Sequence, residues 1–356
     1  MRDPRLNQLA EIMVKQCLSA KRNQKVLIKS SSPAGIPLLE ACFEAALKAK
    51  TFPDYRIGSE QLTEFFFSHA NSAQLANPPK FGEYEAKFFD AHINIYADED
   101  TASLSQVPGE KIALRAKLSK NIREIIQSKS WVLTYYPTAA TAQAAGLSLH
   151  DLEEFFFAAT LIDWTKLANK LEKITATLNN TKLHFIGKKT DLSLSTVGKK
   201  WIADDWKCNL PGGEIFTSPI PESVEGQIYF DYPLTHQGKE IRDIHLTLKA
   251  GRVVHAVAST HQDYLEKLLD TDEGARGVGE IAFGVNEGCT RFMNNVLFDE
   301  KMAGTIHLAL GAGFAETGPT YNSSGLHLDI IKDMHSKNSQ VFANEKLIYQ
   351  AGKFTI

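Results

Sequence analysis

Between Glu280 and Asp329 the chain carries Glu280, Glu300, His307, His327 and Asp329, and a further glutamate, Glu214, follows the turn-like string Leu210-Pro211-Gly212-Gly213. Carboxylate oxygens can bridge two cations and an imidazole nitrogen is a neutral donor. Such a gathering therefore suits a site for two divalent ions and needs no cysteine. Paired ions acidify a water to hydroxide at neutral pH, which is the chemistry of a metal-dependent hydrolase.

Taken singly, each of these residues has a plainer reading. In Leu326-His327-Leu328-Asp329-Ile330 apolar and polar residues alternate, so on a strand His327 and Asp329 project from one face, where they would do no more than meet water. His307 enters the apolar run Ile306-His307-Leu308-Ala309-Leu310, where a lone histidine can be a satisfied core residue, and Asp299 and Glu300 can be surface charges. Glu280 stands between Gly279 and Ile281. A carboxylate buried there is costly unless a cation accompanies it, which makes Glu280 the best candidate for a bridging ligand. Glu214 repeats the pattern of turn, acid and apolar strand. Together the acids supply the anionic charge that two divalent cations need.

The elements that must position these residues fall into two textures. The first half alternates helix and strand. An amphipathic helix carries Leu6, Leu9, Met13 and Cys17; strands are expected at Lys25–Lys29, His92–Tyr96 and Trp131–Tyr135, and helices at Ile36–Lys50, Leu118–Ser128 and Leu147–Ala159. That rhythm predicts a three-layer α/β domain, residues 1–180, around a mostly parallel sheet. The turn Ser30-Ser31-Ser32-Pro33-Ala34-Gly35 lacks the glycines and lysine of a nucleotide loop. Two Phe-Phe-Phe runs, Phe65–Phe67 and Phe155–Phe157, fall in helical contexts and read as core, with one face of each able to meet another domain or subunit. Past Asn180 the chain becomes strand-rich, with a hairpin at Ala250-Gly251 and a helix at His261–Leu269. The expectation for residues 181–356 is an α+β metal-binding domain with a mixed sheet.

With 356 residues, 43% hydrophobic and 23% charged, the chain has the composition of a folded two-domain protein. A net charge of -3 gives no reason to expect nucleic acid or an anionic membrane as partner. Four scattered cysteines, without a Cys-x-x-Cys pair, argue against a thiolate zinc site and a disulfide framework. No apolar stretch is long enough to cross a bilayer and no cationic leader opens the chain, so the expected location is cytoplasmic.

The strings Asn209-Leu210-Pro211-Gly212-Gly213-Glu214-Ile215-Phe216-Thr217, Leu297-Phe298-Asp299-Glu300, His307-Leu308-Ala309-Leu310-Gly311 and His327-Leu328-Asp329, with Thr190-Asp191-Leu192 and Tyr136-Pro137-Thr138, resemble the thermophilic-type aminopeptidase family that includes aminopeptidases T and S. The resemblance spans nearly the whole chain. It implies a two-domain, dimeric metallopeptidase that removes the N-terminal residue of peptides bearing a free N-terminus. It further implies two divalent ions (zinc, cobalt, manganese or magnesium) held by Glu214, Glu280, Glu300, His307, His327 and Asp329. Glu280 would bridge, and Glu214 or Glu300 would move the proton. A departure from the family is that the tyrosine expected seven residues after the first ligand histidine is Phe314; either Tyr321 reaches in from the following loop as the candidate catalytic hydroxyl, or the metals alone stabilise the charge, or activity is reduced. Two other classes are weighed beside it. A metal-containing peptide-binding homologue is compatible with that missing tyrosine. A dinuclear phosphoesterase is disfavoured by the absence of an aspartate-x-histidine opening motif.

Overall fold

The computed structural model describes residues 3–356, which cluster into two compact units. The first runs through Leu161 and adds Trp206–Gly212. The second comprises Ile162–Asp205 and Gly213–Ile356. The expected change of texture near residue 180 falls later than this division. The helix Trp164–Leu178 buries Trp164, Leu167, Leu171, Ile174 and Leu178 and packs with the strands Ile202–Asp204 and Glu214–Thr217, so it belongs with the second unit.

In the first unit a five-stranded sheet runs in the order Phe52–Ile57, Lys25–Ser30, Ala91–Tyr96, Ser130–Tyr135, Asn209–Leu210, with every pairing parallel. The central strands are buried on both faces, with Leu27, Ile28, Ile93 and Val132 fully enclosed, as parallel sheets require. The strand Phe52–Ile57 is absent from the sequence expectation. It lies at the sheet edge with Pro53 inside it and exposes Phe52, Tyr55 and Ile57, so its pattern carries no inward face. The two phenylalanine runs also part company: Phe155, Phe156 and Phe157 are buried, whereas Phe65 and Phe66 are exposed.

The second unit is built on antiparallel sheets. An eight-stranded sheet runs in the order Arg252–Val257, His245–Lys249, Glu225–Tyr229, Thr190–Ser195, Lys182–Gly187, Gln340–Ala343, Lys346–Gln350, Lys353–Phe354. A five-stranded sheet runs His327–Asp333, Thr305–Gly311, Val278–Gly284, Glu214–Thr217, Ile202–Asp204. The expected mixed character is not found in their pairings. Every pairing within these two sheets is antiparallel, and a tight turn such as Ala250-Gly251 dictates it for the strands it joins. The mixed α/β class with one parallel sheet stands.

Candidate metal centre

One face of the five-stranded sheet carries the site. Register places Gly311 opposite His327, Ala309 opposite both Asp329 and Glu280, and Ala282 opposite His307. It also sets Gly284 opposite Glu214, and Glu214 opposite Asp204. Directly paired residues point to the same side and alternate residues along a strand share it, so Asp204, Glu214, Glu280, His307, His327 and Asp329 converge. Small residues on the neighbouring strands leave room for them. At Gly284 an added Cβ would lie 2.2 Å from the Met302 carbonyl oxygen, and this close approach brings the segment Glu300-Lys301-Met302 onto the sheet. That segment follows the short helix Val296–Asp299, capped by Asn295, and is tied down by the hydrogen bond from the Asn286 N–H to the Lys301 carbonyl.

The donor atoms gather in overlapping groups, with His307 common to two of them and Glu280 lying between His307 and His327. Nε2 of His307 lies 3.4 Å from Oε2 of Glu214 and 3.6 Å from Oε1 of Glu280. Nε2 of His327 lies 3.3 Å from Oε2 of Glu280 and 3.3 Å from Oδ1 of Asp329. Ligands bound tetrahedrally at zinc-like bond lengths stand roughly 3.3–3.6 Å from one another. The groups Glu214, Glu300, His307 and Glu280, His307, Asp329 each place a donor atom from every member within 4.8 Å of the others. Among the described residues, nothing donates a hydrogen bond to buried Oε2 of Glu214 or Oδ1 of Asp329, so these carboxylate oxygens lack the partner that a cation would be. The residues fit divalent ions. His327 Nδ1 lies 2.8 Å from the Ala312 carbonyl; with the proton on Nδ1, Nε2 keeps its lone pair for a metal.

Electrostatics in the metal-free chain report the same surplus of acid. Burial opposes protonation of both histidines but is outweighed. The neighbouring carboxylates of Asp329 and Glu280 hold His327 protonated up to about 11, and those of Glu280 and Glu214 hold His307 protonated up to about 9. Burial pushes the Glu280 carboxyl up, yet His307 and His327 bring it below its ordinary value, and His327 does the same for Asp329. Burial raises Glu214 and Glu300. Two imidazolium protons thus stand where divalent charge would be favoured.

The sequence profile of the thermophilic metalloprotease family (M29) matches residues 2–354. This chain belongs to that family. It is 27% identical to aminopeptidase 2 of Geobacillus stearothermophilus over 91% of this chain and 86% of that protein, and 29% identical to aminopeptidase T of Thermus aquaticus over 87% and 85%. The structure of wild-type AmpT from Thermus thermophilus superposes with a TM-score of 0.87 at 24% identity, covering 99% of both chains, which shows the shared fold.

Within the M29 chain all six expected ligands lie in the second unit, and the contacts above bring them together. Tyr321 stands apart. It is 39% exposed in the loop beside Gly313, and among the described residues no hydrogen bond joins its hydroxyl to the cluster. Phe314 packs edge-on against the ring of His327 at 5.4 Å and against Phe216 at 5.1 Å, so the departure from the family puts an apolar wall beside a histidine of the site. Asp299 is no surface charge. It is buried and accepts the N–H groups of Met293 and Asn295 at 2.6 and 2.7 Å, while burial raises its carboxyl to about 8.

Two residues of the site escape sequence reasoning. Lys301 is fully buried, its Nζ 2.5 Å from Glu214 Oε1, 2.7 Å from Glu300 Oε1 and 3.0 Å from Asp204 Oδ2. Burial disfavours the ammonium, but Glu214, Glu300 and Asp204 hold it charged. Nothing in the string Asp299-Glu300-Lys301-Met302 separates this lysine from an exposed one. Asp204 is legible only through its pairing with Glu214. A cleft of about 210 Å³, lined by Leu234, His236, Phe292 and Val296 among others, opens onto His327 and Asp329.

Proposed function

We propose that this metalloprotease is an aminopeptidase that hydrolyses the N-terminal residue of peptides at a centre holding two divalent ions. One ion would be held by Glu214, His307 and Glu280 with Glu300 in range, the other by Glu280, His327 and Asp329. The observation that carries the reading is the ligand-like spacing of these donors, with Glu280 presenting one oxygen to His307 and the other to His327. When bound, the ions supply Lewis acidity and acidify a water toward neutrality. Glu280 spans both halves, and His327 is aimed by its Nδ1–H to Ala312. Proton transfer to the leaving amine is assigned to Glu300. Its side chain is 16% exposed, twice the 8% of Glu214, whose Oε1 is held by Lys301 and whose Oε2 faces His307. The cleft beside His327 and Asp329 would receive the N-terminal residue, with Leu234, Phe292 and Val296 as its apolar lining.

The same reading makes the second unit the catalytic domain and the chain a homodimer. Exposed Phe52, Tyr55, Phe65, Phe81 and Tyr84, all in the first unit, support self-association. Four scattered cysteines without a Cys-x-x-Cys pair suit a reducing compartment, so the cytoplasm is the proposed location. Among the described residues no helix is long and apolar enough to cross a membrane.

The test compares aminoacyl-nitroanilides, their N-blocked counterparts and a phosphate ester, before and after chelation and readdition of zinc, cobalt, manganese or magnesium. Metal-dependent cleavage of free-amine substrates alone is expected. Cleavage of the phosphate ester, or of blocked substrates at equal rates, would replace the proposal.

A further inference from the structure

Lys301 is a cation buried inside the acidic cluster that the ligand assignment leaves without a task. Its side chain is 0% exposed, and its ammonium meets three carboxylates and, among the described residues, no other hydrogen-bond acceptor. The manner of contact is selective. Lys301 binds Oε1 of Glu214 and Oε1 of Glu300, whereas Oε2 of Glu214 is buried, accepts no hydrogen bond among the described residues and faces His307 Nε2 at 3.4 Å. A lysine present only to neutralise acid would have no reason to leave a bare oxygen aimed at an imidazole.

Resting on the proposed metal centre, we propose that Lys301 is a positioning residue. Its ammonium grips one oxygen of Glu214 and one of Glu300, so that each carboxylate turns its other oxygen toward the half of the centre built on His307. The grip depends on backbone placement. Gly284 lets the segment approach the sheet, and the Asn286 N–H fixes the Lys301 carbonyl. Asp204, paired with Glu214 across the strands, completes the seat for the ammonium from the sheet side. Among the described residues, no hydrogen bond or ion pair joins Lys301 to Glu280, His327 or Asp329, on which the other half is built. The anchor of that half is the Ala312 carbonyl. The two halves are thus positioned by separate devices, and loss of one should be felt on one side.

The test measures ions bound per chain, by mass spectrometry after dialysis against buffered zinc, and stepwise affinity by competition with a chromophoric chelator. The proteins are the full-length wild type, Lys301→Met and Lys301→Gln, with circular dichroism as a check on fold. Expected is a fall from about two ions to about one in Lys301→Met, with the weaker step losing about 10- to 100-fold in affinity, as for other residues that orient ligands, and the tighter step little changed. Lys301→Gln, keeping a donor of shorter reach, should fall between. Unchanged stoichiometry and affinity in both variants would overturn the proposal, and so would tighter binding, which would make the ammonium a competitor of the ion. A wild type that binds no divalent ion would instead refute the metal reading itself. Should both variants fail to fold, crystals of the wild type grown with zinc decide. Lys301 Nζ must hold one oxygen of each glutamate while the other oxygen meets metal, and its withdrawal from both overturns the proposal.

Discussion

Replacing Glu280 by glutamine keeps the volume of the side chain and removes one charge and one ligand oxygen. The residue is 4% exposed, and its two oxygens face different histidines, Oε1 toward His307 at 3.6 Å and Oε2 toward His327 at 3.3 Å. The amide nitrogen must point into one of these halves, where it can donate a hydrogen bond but cannot ligate a cation. Residues that merely orient ligands change metal affinity by roughly 10- to 100-fold when removed. A carboxylate shared between two ions should exceed the upper end, so one ion is expected to bind more than about 100-fold more weakly, or roughly 2.8 kcal/mol. The assay pairs ions per chain with turnover of an aminoacyl-nitroanilide, and a melting curve confirms that Glu280→Gln folds. Loss of one ion with loss of turnover is expected. A folded variant with unchanged ion content and turnover would refute the reasoning that joins both halves through Glu280.

Three further outcomes are expected. Tyr321→Phe should keep kcat near its starting value, because no hydrogen bond ties its hydroxyl to the cluster; a loss of about 100-fold or more, the size of a missing oxyanion donor, would bring Tyr321 into the chemistry. Gly284→Ala would put a Cβ 2.2 Å from the Met302 carbonyl oxygen, so it should cost about 1–3 kcal/mol in chemical denaturation and weaken ion binding on the Lys301 side; unchanged stability would contradict the close approach. In metal-free protein, His307 and His327 titrate in the fold at about 9 and about 11, above the ordinary 6.5. Raised values contribute stability that is complete below about pH 6.5 and is lost as pH climbs through 9 and then 11, at up to about 1.4 kcal/mol per pH unit for each histidine. Melting temperature without metal should therefore fall from pH 6.5 to 9, and one that rises over this range would contradict the assignment.

Much of the site could be read locally and the rest could not. His327 and Asp329 sit two apart on a strand, so alternation alone puts them on one face. The convergence of Glu214, Glu280 and His307 depends on register across three strands, which no local pattern specifies, and a bulge between Val278 and Glu280 shifts it further. Lys301 stayed hidden because a lysine after a glutamate reads as a solvated pair, and only the close approach at Gly284 buries it. In the first unit the buried strands announced themselves by short runs rich in β-branched and aromatic residues, while the edge strand Phe52–Ile57 did not, since exposed and half-buried positions leave no period to find.

The central claim is that two divalent ions sit between the paired carboxylates and histidines of the five-stranded sheet. An anomalous difference map from crystals grown with zinc, collected on either side of the zinc edge, tests it most directly. The expected result is two peaks, one bounded by Glu214, His307 and Glu280 and the other by Glu280, His327 and Asp329. A map with no peak at these side chains, or with zinc bound elsewhere while they face solvent, would contradict it.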